Sequence, residues 1–167
     1  AGMDDKLIFL HGLEGSSQGI KAALLRGLYP KILTPDFRGV LEERMTQLDE
    51  ILGDADGWII VGSSFGGLMG AIFTCLHPKQ VKKLGLLAPA LIWPDFAAAQ
   101  WAPVQVPVVL YHGLQDELIP LGPIKEIAER VFLNLDFHQV EDDHGLYKTV
   151  HAIDWKTLIG EPRKGEL

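Results

Sequence analysis

The feature that most constrains this chain is an alternation. Short, nearly continuous apolar runs at 6–10, 31–35, 57–62, 83–87, 107–112 and 135–140 are separated by segments with apolar residues at helical spacing. Each run is rich in Val, Ile, Leu or Phe and shows no polar face, as a strand covered on both sides should. Between the runs, Leu41, Met45, Leu48 and Leu52 fall on one helical face, with Glu42, Glu43, Gln47 and Asp49 largely opposite. Ile124, Ile127, Ala128 and Val131 repeat the pattern, as do Leu146, Val150, Ile153 and Thr157. Alternation of this kind predicts an α/β fold: a three-layer α/β/α sandwich around a mostly parallel sheet of six strands. Residues 88–106, with Pro89, Pro94 and Pro103, cannot hold a long helix and read as a connection with one short helical turn. No repeat, low-complexity tract or linker divides the chain, so 3–167 is expected to form one domain. Ala1-Gly2 before Met3 reads as an expression remnant.

Composition excludes several classes of function. A net charge of −7, with no cluster of Lys and Arg, argues against a nucleic-acid surface. No apolar segment nears the roughly 20 residues of a membrane span. There is no basic stretch leading into an apolar run, so a cytoplasmic location is expected. Neither a Cys/His cluster nor H-E-x-x-H is present, and no metal or other cofactor is expected. The lone Cys75, inside an apolar helical stretch, reads as a buried thiol. Asp4-Asp5, Asp54-Ala55-Asp56 and Asp142-Asp143 lie at element boundaries and read as solvated loops or caps.

The sharpest local signal is Gly62-Ser63-Ser64-Phe65-Gly66-Gly67, between the run ending near Val61 and a helical pattern at 68–76. No Lys-Ser/Thr follows it, so it is not a phosphate-binding loop. Strand, tight turn and helix are what a nucleophile elbow requires, with Ser64 at its tip and small residues where a side chain would clash. A serine hydroxyl is a weak nucleophile and needs a base. Of the six histidines, His144 alone lies in a polar loop between the last apolar run and the last helical pattern. His138 falls inside a run and reads as structural; His151 falls within the final helical pattern. Asp116, directly after the fifth run, is placed to orient the imidazole, with Glu117 as an adjacent competitor. An oxyanion needs two backbone donors, assigned to the N–H groups of Phe65 and Leu13. The His11-Gly12 pair would let the backbone turn close to the site, which makes both candidate substrate contacts.

With these residues in place, the chain resembles the α/β-hydrolase superfamily, and within it the compact bacterial esterases represented by the YqiA-like proteins. Leu7–Gly12 matches their strand and His-Gly turn, Gly62–Gly67 their elbow, and His112–Asp116 the wider His-Gly-x-x-Asp pattern. The resemblance implies a minimal fold without leading antiparallel strands or cap domain, in strand order 2-1-3-4-5-6, with Leu13 beside Ser64. Without a cap the site should be open, with Trp93, Phe96 and Trp101 as its apolar wall or, equally, packing the loop onto the core. The implied activity is hydrolysis of a small carboxylic ester through an acyl-serine intermediate. An acyl-thioesterase uses the same triad, and a non-catalytic ligand-binding protein of this fold is the rival from another class. A small-molecule ester or thioester is the expected partner.

Overall fold

The computed structural model describes residues 6–160; Ala1-Gly2 and Asp4-Asp5 lie outside the described residues. Five strands, β1 (Lys6–Leu10), β2 (Trp58–Ser63), β3 (Val81–Leu87), β4 (Val108–Gly113) and β5 (Leu135–Val140), stand in the order β1-β2-β3-β4-β5. Every neighbouring pair is parallel. Parallel neighbours require crossovers, and helices supply them. α1 (Ile20–Leu28) and α2 (Leu41–Leu52) precede β2, α3 (Phe65–Leu76) precedes β3, and α4 (Pro94–Ala97) precedes β4. α5 (Leu121–Val131) precedes β5, while α6 (Tyr147–Val150) and α7 (Trp155–Ile159) follow it.

Strand side chains alternate between the two faces, and that alternation builds two cores. Ile8, Leu10, Ile60, Leu84, Leu86 and Leu110 face one layer, made by α2, α3, α5 and the segment around Phe96. Leu7, Phe9, Ile59, Val61 and Leu87 face the other, made by α1, α6 and α7. The six residues of the first set are fully buried, each contributing about 1.5–3 kcal/mol. The central strands are therefore the rigid platform from whose C-terminal ends the loops project. β5 is an edge strand, and Asp136 and Gln139 on it are exposed.

Two expectations are corrected. The sheet has five strands, not six: of 31–35 only Leu33 pairs, as a single parallel bridge to Ile8. Its carbonyl accepts the Phe9 N–H and its own N–H donates to Leu7 O, both at 2.9 Å. Pro30 and Pro35 flank the segment, and a proline has no N–H to extend the ladder. The final helical pattern is two short helices, because Asp154 accepts from the Thr157 N–H and hydroxyl and starts a new one. His151 consequently sits at the C-terminal end of α6. Helix α1 buries only Ala22 and Leu25, a stripe too narrow to leave a helical period in the sequence. No helix among the described residues is long and apolar enough to cross a membrane.

Candidate active site

β2 ends at Ser63 and α3 begins at Phe65, so Ser64 alone turns the chain. It does so at φ 55° and ψ −113°, a conformation that costs a non-glycine residue about 1–3 kcal/mol. The surroundings impose it. Ser64 N–H donates to Leu87 O at 2.9 Å, and Ser64 O accepts from Leu68 N–H at 3.1 Å and Ala90 N–H at 3.0 Å. A Cβ at Gly62 would overlap the Gly66 carbonyl, and one at Gly66 would overlap the carbonyl of Leu10. These glycines let the start of α3 close onto the ends of β1 and β2, with the serine hydroxyl left outside.

The hydroxyl meets two loops from the far side of the sheet. Ser64 Oγ is 3.0 Å from His144 Nε2, and His144 Nδ1 is 2.7 Å from Asp116 Oδ2. The Asp116 side chain is fully buried, and its Oδ1 accepts the N–H groups of Leu118 and Ile119 at 3.0 and 2.8 Å. That pair of donors decides which oxygen is left for His144. With Nδ1–H given to Asp116, Nε2 is the acceptor facing the serine. The loops are strapped together as well. Asp142 O accepts the Gln115 N–H at 3.0 Å, and a Cβ on Gly113 would overlap that same carbonyl. Asp142 Oδ2 accepts the Thr149 N–H and hydroxyl at 2.9 and 2.7 Å, so Asp142 holds the His144 loop in place.

A second histidine belongs to the network. His112 is fully buried at the end of β4, its Nε2 2.7 Å from Ile119 O and 3.3 Å from Asp116 Oδ2. Burial holds its imidazole below the usual histidine range, against the pull of the Ile119 carbonyl and Asp116. The His-Gly-x-x-Asp pattern puts His112 and Asp116 four residues apart at one strand end, but it carries no signal that the imidazole backs the carboxylate. His138, by contrast, stacks on Tyr111 with ring centres 4.5 Å apart and pairs with Asp136 on the edge strand.

Around Ser64 lies an open cleft of about 400 Å³, lined by Gly12, Leu13, Glu14, Lys21, Leu118, His144 and Tyr147 among others. The Leu13 N–H makes no hydrogen bond among the described residues, and Phe65, first in its helix, has no intrahelical acceptor for its N–H. Gly12 abuts the Ser64 turn, since a Cβ there would touch that of Ser64 at 3.5 Å. His11, expected to contact substrate, is instead a brace. Its Nε2 accepts the Phe37 N–H at 2.9 Å, and its Nδ1 contacts Gly12 O at 2.6 Å. The aromatic wall is also corrected. Phe96 is fully buried and packs against Trp101, whose indole N–H donates to Phe96 O at 3.2 Å. Trp93 sits edge-on to Phe65 at 5.2 Å, and none of the three lines the cleft. Their alternative reading, packing the 88–106 segment onto the core, fits Phe96 and Trp101.

The apolar lining comes from Leu13, Leu118 and Tyr147, residues close in sequence to the candidate site residues themselves. Lys21 Nζ lies 4.8 Å over the Tyr147 ring, and burial lowers its ammonium below the usual range despite Asp142 and Asp143. Among the described residues, no group of three or more His, Cys, Asp or Glu side chains is placed to hold a metal ion.

No family model and no curated protein matches this chain. Solved structures do. Mouse alpha/beta hydrolase domain-containing protein 10 is similar at TM-score 0.74 and 20% identity, over 91% of this chain and 87% of that one. Est1E from Butyrivibrio proteoclasticus is similar at 0.71 and 18%, over 93% and 88%. An esterase from Pyrococcus furiosus is similar at 0.70 and 17%, over 96% and 82%. At such identities the likeness speaks to architecture: the chain has an α/β fold on a parallel sheet, and its structural neighbours are α/β hydrolases.

Proposed function

We propose that this protein is a serine hydrolase acting on small carboxylic esters through an acyl-serine intermediate, with Ser64, His144 and Asp116 as its triad. The observation that carries the reading is the unbroken relay from Asp116 Oδ2 to His144 at 2.7 Å and on to Ser64 Oγ at 3.0 Å, ending on a strained turn. In this reading His144 Nε2 takes the serine proton as Oγ attacks the ester carbonyl carbon. The carbonyl oxygen, now negative, falls between the N–H groups of Phe65 and Leu13. The alkoxide leaves with the proton from His144, and water repeats the sequence on the acyl-serine. Asp116 holds the ring by Nδ1 and balances the imidazolium charge.

Esterase and hydrolase neighbours support the same class, and the His-Gly turn and elbow sequence favour the compact YqiA-like esterases within it. The open cleft favours short acyl groups, because a shallow wall covers only a few methylenes at about 0.8 kcal/mol each. A fluorophosphonate probe should label the wild type and not Ser64→Ala, and short p-nitrophenyl esters should turn over only with the wild type. Labelling that persists in folded S64A, or a wild type inert to probe and esters alike, overturns the proposal.

A further inference from the structure

Arg44 stands where α2 should present an apolar residue. It is three residues from Leu41 and four from Leu48, on the stripe that faces the core, and it is only 6% exposed. A buried cation is costly unless paired, and replacing one by an apolar residue of similar volume is often neutral or stabilising. The packing of α2 therefore does not call for a guanidinium here. Among the described residues no carboxylate pairs with it. Its Nε donates to Gly39 O at 2.8 Å, its Nη2 reaches Leu13 O at 3.5 Å, and its Nη1 is buried without a partner. Its Cζ lies 5.4 Å from the centre of the Phe65 ring.

Two of these contacts fall on the two residues whose N–H groups were assigned to the oxyanion. One guanidinium touches the carbonyl of Leu13 and the ring of Phe65, joining the loop after β1 to the start of α3. Leu13 is half exposed and its turn is otherwise closed by one backbone bond, Gly15 N–H to Gly12 O at 3.0 Å. The contact ties the 13–14 peptide to α2, so the turn after β1 is held from a second side. The charge acts as well, because a cation without a counter-ion in a poorly screened setting favours negative charge developing nearby.

We propose that Arg44 is a positioning residue for the oxyanion site, holding Leu13 and Phe65 in register and supplying the positive potential behind their N–H groups. The inference rests on the serine-hydrolase reading. When Ser64 Oγ bonds to the carbonyl carbon, its proton passes to His144 and the carbonyl π pair moves onto oxygen. Arg44 exchanges no proton and touches no reacting atom. Its effect belongs to the state in which that oxygen is charged, so it should appear in kcat rather than KM.

The test compares Arg44→Met, which keeps the stem and removes the charge, with Arg44→Lys, which keeps the charge. Each is assayed on a short p-nitrophenyl ester and with an alkyl trifluoromethyl ketone, whose Ser64 adduct carries the oxyanion. R44M should lose about 10- to 100-fold in kcat with KM within about threefold, and bind the ketone more weakly by a similar factor. R44K should recover most of both. If R44M does not fold, Arg44→Gln takes its place and the same split decides. A variant that melts earlier but keeps kcat and ketone affinity shows a packing role and overturns the inference, as does an R44K no better than R44M. Wild-type turnover abolished by S64A establishes the hydrolase reading separately, so those outcomes count against Arg44 alone; a wild type inert to ester and ketone overturns both.

Discussion

Asp116→Asn tests the hydrogen-bond logic of the site more sharply than deletion of the side chain. Oδ1 accepts N–H groups from Leu118 at 3.0 Å and Ile119 at 2.8 Å, so the amide oxygen of an asparagine must take that place. The reverse orientation would set NH2 against two donors and cost about 1–3 kcal/mol for each group left unpaired. The amide nitrogen therefore replaces Oδ2, 2.7 Å from His144 Nδ1. It can only donate, which drives the ring proton to Nε2, the atom that has to accept from Ser64 Oγ at 3.0 Å. The second amide hydrogen faces His112 Nε2, the donor to Ile119 O, and adds a local clash of donors. In the proposed triad this disables His144 as base, and kcat should fall about a thousand- to ten-thousand-fold, or roughly 4–5.5 kcal/mol of barrier. The assay is saturating hydrolysis of a short p-nitrophenyl ester, with thermal melting alongside to show that the variant is folded. Glu117→Gln, on an exposed neighbour, is the control and should stay near wild type. A folded D116N that keeps more than about a tenth of wild-type kcat refutes the reasoning.

Phe96→Ala should cost about 3–5 kcal/mol in urea denaturation, as a fully buried aromatic does, while Trp93→Ala costs far less. Leu118→Ala should shift the acyl-chain preference that neither of those changes; an altered preference in W93A would restore that residue to the cleft. Hydrogen bonds from Thr149 and Asp143 outweigh burial and hold Asp142 below the usual carboxylate range. A depressed folded-state value contributes stability above the unfolded range and loses it as the pH falls through the folded one. Asp142→Asn should therefore flatten the acid limb of a Tm series, and an unchanged limb argues against the strap. Burial pushes the Cys75 thiol up to about 12, so iodoacetamide at about pH 8 should label it only on unfolding; native labelling at a free-thiol rate contradicts this.

Local pattern by itself determined a good deal here. The β-rich runs and helical stripes mark out the elements of the parallel sheet, because burial on both faces and burial on one stripe leave different periods in the sequence. The glycines around Ser64 mark a strand-to-helix turn too tight for side chains. His144 and Asp116 could be singled out because each follows a run that becomes a strand, and loops after parallel strands gather at one edge. Whether 31–35 extends the sheet turned on how many N–H groups Leu33 and its neighbours could offer to β1, a matter of pairing between distant segments. Only the tertiary structure decided that Leu118 and Tyr147, rather than Phe96 and Trp101, flank the cleft. It also decided that His112 backs Asp116 and that Arg44 reaches Leu13 and Phe65. Period and propensity describe which way a side chain points relative to its own element. What it meets there depends on how elements far apart in the chain are packed, and that information is not local.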